Sequence, residues 1–187
     1  MIIIWLVKSQ QGKGNAMPLD KSVLIDFLEV LDGELEKGIT LVAVGGTAMT
    51  LLDLKKSTID VDFTIPSEDE PLFSRALSKI AHGFKIDYWT DGLVFCTILP
   101  DDYLENSVAI ARLRYILLKA LHPVDIIVTK IGRLDDRDLE DIEECIEKYN
   151  ISKEQIAERA ATVQYVGNEK LYEYNLHYIL EQFYKTE

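Results

Sequence analysis

The chain has 187 residues, of which 48% are hydrophobic, and its formal net charge is −12 at pH 7. This length suits one domain, or one domain with a helical appendage, and the hydrophobic content can supply a sizeable core. The acidity argues against non-specific binding to nucleic acid, which needs a basic surface, although a local basic groove stays open.

Cysteine usage and hydropathy indicate the compartment. Cys96 and Cys145 have no metal-binding or redox spacing, which favours a reducing environment. No apolar run reaches the ~18–20 residues that a membrane span needs. The run Ile2–Val7 is too short for the core of a signal peptide, and no small-residue cleavage site follows it. We therefore expect a soluble, cytoplasmic protein without a membrane partner.

The first 16 residues differ from the rest of the chain. MIIIWLVK has the composition of a short strand, and SQQGKGNA that of a linker. Met17-Pro18 resembles a natural start, so residues 1–16 are predicted to form an extended or poorly ordered arm, since termini are loose unless tied down. An edge strand, or translation from a misplaced start codon, are the alternatives.

The first helix is predicted from Pro18 or Asp20 to about Lys37, with Gly38 ending it. Its apolar residues recur at helical spacing and form one stripe: Leu24, Phe27, Leu28, Leu31 and Leu35. A buried strand at 41–44 follows, and Gly45-Gly46 breaks it. A short helical piece at 47–54, a polar turn at 55–58 and a strand at 59–65 complete this block.

The middle of the chain alternates helix and strand signals. A helix is predicted at 68–82 and a strand at 84–89, and Asp91-Gly92 is a turn signal. A strand at 93–99 and an acidic loop at 100–107 follow. The segment 108–121 fits two short strands near 109–113 and 115–120, and its pattern also allows a helix.

The C-terminal third reads as helices. They are predicted at 122–134 and 137–149, then from a capping box formed by Ser152 and Gln155 to about residue 163, and finally up to Tyr184. The element order predicts an α/β (α+β) chain with a helical C-terminal part. We expect a domain at 17–150 and a helical segment at 151–187.

Two aspartates occupy alternate positions of the strand at 59–65. Side chains at i and i+2 of a strand share a face, so Asp60 and Asp62 point the same way. Like charges this close repel each other, and a divalent cation would offset the repulsion. A surface hairpin with two solvated aspartates is the simpler alternative.

The order Gly45-Gly46-Thr47-Ala48 and then Ser57-Thr58-x-Asp60-Val61-Asp62 resembles the polymerase-β-type nucleotidyltransferases. The closer form resembles their minimal bacterial and archaeal members, including the AbiEii-like toxins. The resemblance spans roughly residues 39–150 and implies a small mixed sheet flanked by helices. It also implies that the glycines and Thr47 admit a nucleoside triphosphate (NTP), and that Asp60 and Asp62 hold Mg²⁺ or Mn²⁺.

The physical reasons agree with this resemblance. Glycine has no Cβ to block a phosphate, and Mg²⁺ prefers carboxylate oxygens together with substrate phosphates. Lys56 stands where many relatives have arginine, which keeps the charge without the planar fork. Ser57 and Thr58 either hold the turn or touch phosphate, and the turn is favoured.

The resemblance implies a third carboxylate on a strand beside the aspartate pair. Asp87 in Lys85-Ile86-Asp87-Tyr88 is the choice, as a third metal ligand and catalytic residue, and Asp91 and Asp125 are the alternatives. An ordinary exposed strand residue is the competing interpretation of Asp87.

AbiEii-like proteins also carry a lysine motif on one helix and an Asp-x-x-Asp motif on the next. Lys130 matches the first, and Asp138 and Asp141, after Arg137, match the second and share a helix face. Lys130 would bind a triphosphate oxygen, and Asp138 or Asp141 would orient Lys130 or a loop arginine. The relatives' Lys-x-x-Ala is Lys-x-x-Arg here, and a salt-bridge set between two helices is an equal alternative.

The resemblance thus implies an Mg²⁺-dependent transfer of a nucleoside monophosphate from an NTP to a hydroxyl of an RNA, tRNA included, or of a protein. The alternative is an inactive nucleotide-binding module or a toxin–antitoxin interaction module with an antitoxin partner. Five tyrosines crowd the C-terminus and favour a packing face or a homodimer surface over base stacking: Tyr165, Tyr172, Tyr174, Tyr178 and Tyr184.

Overall fold

The computed structural model describes residues 18–184, and the predicted arm at 1–16 lies outside this range. The described residues contain eight helices and eight strands. The elements are α1 (Lys21–Gly33), β1 (Ile39–Ala43), α2 (Gly45–Leu51), β2 (Asp60–Ile65), α3 (Glu70–Leu77), β3 (Lys85–Thr90), β4 (Leu93–Val94), β5 (Thr97–Ile98), α4 (Tyr103–Asn106), β6 (Val108–Arg112), β7 (Ile116–Ala120), α5 (Pro123–Lys130), α6 (Asp136–Tyr149), α7 (Lys153–Ala160), β8 (Gln164–Tyr165) and α8 (Glu169–Phe183).

The main sheet has five strands in the order β3-β2-β1-β7-β6. β1 runs parallel to β7 and β2 parallel to β3, whereas β1 with β2 and β6 with β7 are antiparallel pairs. A second, three-stranded antiparallel sheet has the order β4-β5-β8. The predicted α/β class, with a small mixed sheet flanked by helices, is confirmed.

The first helix confirms its predicted apolar stripe but is shorter than predicted. Leu24, Leu28 and Leu31 are buried, yet the helix ends at Gly33 and not near Lys37. The Asp32 carboxylate accepts hydrogen bonds from the backbone N–H groups of Tyr115 and Ile116, at 2.7 and 2.8 Å. The helix end is therefore fixed by a contact 83 residues away in the chain, which local periodicity does not reveal.

The segment 93–99 was wrongly predicted as one strand. It forms the hairpin of β4 and β5, which pair antiparallel around Phe95 and Cys96. Phe95 has φ of 53°, in the left-handed region, and this reverses the chain. The loop predicted at 100–107 contains the short helix α4.

The ambiguous segment 108–121 forms two strands, as predicted, and the helical alternative is wrong. β6 and β7 pair antiparallel, with a register shift between Ala109 and Ala111. β7 also pairs in parallel with β1, which places it inside the sheet.

The C-terminal helices pack on α5. Tyr172 donates its hydroxyl to the Val128 carbonyl at 3.1 Å, and the Asn175 amide donates to the Ile131 carbonyl at 2.7 Å. The capping box of Ser152 and Gln155 is present at the start of α7, as predicted. None of the helices within residues 18–184 is long and apolar enough to cross a bilayer.

Candidate functional site

Three carboxylates lie on one face of the main sheet, at the start of β2 and β3. Asp62 is the register partner of Asp87, and Asp60 is the partner of Lys85. Paired residues of adjacent strands, and residues two apart on one strand, point to the same face. The structure therefore brings together the aspartate pair and the residue that sequence analysis chose as the third carboxylate.

The Asp62 carboxylate lies in an environment that disfavours its negative charge. Its burial, reinforced by the charges of Asp87 and Asp60, raises the pKa of Asp62 to about 6. The charges of Lys85 and Arg133 act in the opposite direction but do not cancel this effect. The fold thus holds the carboxylate where ionisation is unfavourable unless a cation is nearby.

Lys85 neutralises part of this cluster. Its ammonium forms an ion pair with the Asp87 carboxylate, and this hydrogen bond raises the pKa of Lys85. Within residues 18–184, no three side chains of His, Cys, Asp or Glu are already grouped as metal ligands. Lys85 was not predicted as a site residue, although its position two residues before Asp87 on a strand was the available signal.

Gly45 lies directly beside Asp62. Gly45 has φ of +52°, and a Cβ built on it would lie 3.4 Å from Asp62 Oδ2. A Cβ on Gly46 would lie 2.8 Å from Thr58 Oγ1. The two glycines therefore allow the start of α2 to approach β2 closely, and α2 begins at Gly45 instead of the predicted Thr47.

The threonine hydroxyls hold the start of β2. Thr47 Oγ1 accepts a hydrogen bond from the Asp62 N–H at 2.9 Å and donates to the Asp60 carbonyl at 3.2 Å. Thr58 Oγ1 donates to the same carbonyl at 3.0 Å. Both hydroxyls are used within the protein and position the aspartates. In the same turn, Ser57 is half-buried and Lys56 is exposed.

A second charged cluster joins α5 and α6. Lys130 Nζ lies 2.9 Å from Asp138 Oδ1 and 2.7 Å from Asp141 Oδ2, and all three side chains are buried. Arg133 binds Asp138 with two nitrogens, at 2.7 and 2.6 Å. Burial alone would raise the pKa of Asp138, but the Arg133 hydrogen bonds and the Lys130 charge lower it to about 2.

Two basic residues that sequence analysis did not select connect this cluster to the rest of the site. Lys55 Nζ lies 2.6 Å from Asp141 Oδ1 and ties the turn before β2 to α6. The Arg133 guanidinium lies 5.6 Å from the centroid of the Phe95 ring, near Asp62. Arg137, which sequence analysis did select, is exposed on α6.

The two alternative third carboxylates lie elsewhere in the fold. Asp91 follows the far end of β3, has φ of 51°, and accepts a hydrogen bond from the Ser67 N–H at 2.9 Å. Asp125 is buried at the start of α5 and binds Arg159, whose Nε lies 2.5 Å away. Neither is a register partner of Asp62.

Comparison with known proteins adds one match. A family model described as "Nucleotidyltransferase of unknown function (DUF6036)" matches residues 22–186. No curated protein and no solved structure matches the chain significantly. The matched range includes the C-terminal helices, for which the sequence resemblance gave no account. Because the model covers most of the chain, the protein belongs to this family of nucleotidyltransferases.

Proposed function

We propose that the protein uses Mg²⁺ or Mn²⁺ to transfer a nucleoside monophosphate from an NTP to a hydroxyl of an RNA or protein acceptor. The observation that carries the proposal is the register of Asp62 with Asp87, which sets carboxylates from two strands on the face that Asp60 shares. Carboxylates on two strands can contact a cation from different directions, whereas carboxylates on one strand approach it from the same direction.

The residues present have the chemistry of a site for a hard divalent cation, although binding would have to draw their carboxylates closer together, since within residues 18–184 no three are already grouped as metal ligands. Asp60, Asp62 and Asp87 offer the oxygen ligands that Mg²⁺ prefers. The burial of Asp62, reinforced by the charges of Asp87 and Asp60, raises its pKa to about 6, and a cation would relieve this cost of ionisation. When bound, such an ion would activate the acceptor hydroxyl and stabilise the charge on the leaving pyrophosphate. The acceptor hydroxyl loses its proton to solvent and its oxygen bonds to the α-phosphorus, while the bond from that phosphorus to the oxygen shared with the β-phosphorus breaks and pyrophosphate leaves.

The surrounding residues have separate tasks in this proposal. Gly45 keeps the backbone beside Asp62 free of a side chain that would stand next to the triphosphate, and Gly46 lets Thr58 pack against the start of α2. Thr47 holds both aspartates in place from behind. The Lys130 ammonium already contacts the buried carboxylates of Asp138 and Asp141. These contacts favour a supporting role for Lys130 over direct phosphate binding.

The test is incubation of the protein with labelled NTPs, Mg²⁺ and total RNA, tRNA included, or total protein. We expect one class of macromolecule to become labelled, with release of pyrophosphate. Asp62→Asn should lose both Mg·NTP binding and transfer. Asp87→Asn should keep Mg·NTP binding and lose transfer. No labelling of any acceptor by the wild-type protein, with Mg·NTP bound, would contradict the transfer reaction.

One observation favours a second candidate function, a nucleotide-binding or toxin–antitoxin module without turnover. The ion pair of Lys85 with Asp87 occupies the third carboxylate, and a module that only binds nucleotide would tolerate this. An antitoxin partner belongs to this candidate, whereas the narrower AbiEii-like toxin type and a homodimer are proposed independently of turnover. Full Mg·NTP binding by an Asp87→Asn variant, together with no pyrophosphate release by the wild type, would support it.

A further inference from the structure

Phe95 occupies an unusual position in the fold. It lies at the tip of the β4–β5 hairpin with φ of 53°, and 42% of the residue is exposed. A bulky aromatic residue in the left-handed region is rare, and such residues persist where the surroundings hold them. Exposing an aromatic ring and straining its backbone both cost stability, so the position calls for a reason other than packing.

The hairpin holds Phe95 firmly against the candidate site. Its ring packs on Trp89, with centroids 5.0 Å apart. The backbone of its neighbour Cys96 accepts a hydrogen bond from the Val166 N–H at 2.8 Å, which ties the hairpin tip to the segment after β8. The ring is oriented before any ligand arrives.

The ring borders the glycine turn and the carboxylates. Two of its atoms lie 3.8 and 3.9 Å from the position that a Cβ on Gly45 would occupy, and the same position is 3.4 Å from Asp62 Oδ2. The Arg133 guanidinium lies 5.6 Å from the ring centroid. The exposed ring of Phe95 is therefore next to a cation, Arg133, and a carboxylate, Asp62.

We propose that Phe95 is the nucleoside-contacting residue of this site, and that the nucleobase of the NTP stacks on its exposed ring. This inference rests on the proposed function, because it concerns the same ligand. An NTP has one large planar group besides its sugar and phosphates, and base–aromatic stacking accepts any base because every base has a π-face. Phe95 therefore distinguishes a nucleotide from bare polyphosphate, without selecting one base.

The experiment measures calorimetric affinities of the full chain for Mg·ATP and Mg·tripolyphosphate. Phe95→Ala should weaken Mg·ATP binding about 5- to 150-fold, the range expected for one stacked base. Affinity for tripolyphosphate, which has no base, should stay unchanged. Phe95→Tyr keeps the ring and should bind both ligands as the wild type does. Phe95→Gly, which accepts the positive φ without strain, should show the same loss as Phe95→Ala.

A spectroscopic readout accompanies the affinities. In a Trp5→Phe background Trp89 is the remaining tryptophan, and its emission should respond to Mg·ATP but not to Mg·tripolyphosphate. An equal loss of both ligands in Phe95→Ala and Phe95→Gly, or no loss of either, overturns the inference and leaves the proposed function in place. A wild-type protein that binds neither ligand, with Asp62→Asn behaving identically, removes the proposed function and this inference with it.

Discussion

Asp62 on β2 and Asp87 on β3 are register partners in a parallel strand pair, and their side chains share one face of the sheet. Gly45, with no side chain of its own, closes in on Asp62 from α2. The Asp62 carboxylate therefore lies between the Asp87 carboxylate and the backbone of Gly45. An arrangement that costs stability in this way is typical of a binding or catalytic site, where function and stability compete.

Asp62→Asn should make the ligand-free protein more stable at pH 8. The folded-state pKa of Asp62 is about 6, above the ordinary aspartate value of 3.8, so the folded protein binds the extra proton and gains stability as the pH falls from about 6 to 4. The ionised side chain should cost about 1–3 kcal/mol at pH 8, which asparagine removes. Thermal unfolding at pH 8 and pH 4 measures the difference, which should shrink at the lower pH.

The control for this prediction is Asp26→Asn, at an exposed position of α1, which should change the free energy of unfolding by less than about 0.5 kcal/mol. Addition of Mg²⁺ with NTP should raise the melting temperature of the wild type by mass action and leave Asp62→Asn unchanged. An Asp62→Asn variant that melts below the wild type at pH 8 would show that the carboxylate stabilises the fold.

Sequence patterns predicted the strands of the main sheet and most helices because these depend on local periodicity, whereas the mixed sheet itself was implied by the family resemblance. Ile116, Leu118 and Ala120 alternate inward on β7, and the capping box at Ser152 is contained in four residues. Features that depend on long-range contacts were missed. The end of α1 depends on a hydrogen bond from Tyr115, which lies far along the chain.

The same distinction applies to the candidate site. The spacing of Asp60 and Asp62 is local and was enough to place them on one face. Asp87 was reached through the family resemblance, and only the strand register shows its place beside Asp62. The ion pair of Lys55 with Asp141 and the position of Phe95 beside Gly45 join distant segments, and single-residue patterns carry no information about them.

Gly45→Ala should destabilise the protein, whereas Gly33→Ala should not. Gly45 has φ of +52°, and its added methyl group would make only ordinary contacts with Asp62 and Phe95, so the backbone conformation carries the cost. The left-handed backbone alone costs an alanine about 1–2 kcal/mol. A Cβ on Gly33 would meet nothing within 4 Å, so alanine there should stabilise by about 0.4–1 kcal/mol. Urea unfolding of both variants checks the contrast, and equal behaviour would argue against a strained turn.

Lys130→Met should unfold more easily than the wild type. The substitution keeps most of the side-chain volume but leaves Asp138 and Asp141 buried without the ammonium that both contact. Asp138 keeps Arg133 and Asp141 keeps Lys55 as partners, so the cost should be about 1.5–3 kcal/mol, below that of a buried charge left without any partner. Lys170→Met, at an exposed position of α8, is the matched control. Weaker Mg·NTP binding by Lys130→Met with unchanged stability would instead assign Lys130 to the phosphates.

Acid should remove the stabilisation that Asp138 provides. Its folded-state pKa is about 2, below the ordinary aspartate value of 3.8, so its contribution is fully present above pH 3.8 and is lost as the pH falls towards 2. Asp138→Asn should therefore be less stable than the wild type at pH 6, and the gap should narrow in acid. Equilibrium unfolding at pH 6 and pH 3 makes the comparison, and a gap that widens in acid would contradict the assignment.

Thr47→Val should lower both the stability of the protein and its affinity for Mg·NTP. Valine has nearly the shape of threonine, but it cannot accept the Asp62 N–H or donate to the Asp60 carbonyl. The carbonyl keeps its hydrogen bond from Thr58, whereas the buried N–H loses its partner, which costs about 1–3 kcal/mol. Asp60 and Asp62 lie on the strand that this hydroxyl holds, so Mg·NTP affinity should fall together with stability.

Thr162→Val, at an exposed position after α7, removes a hydroxyl that only donates to the Arg159 carbonyl and should change neither quantity. Calorimetry and thermal unfolding of both variants decide the matter: full Mg·NTP affinity in a destabilised Thr47→Val would show that the carboxylates keep their positions without this hydroxyl.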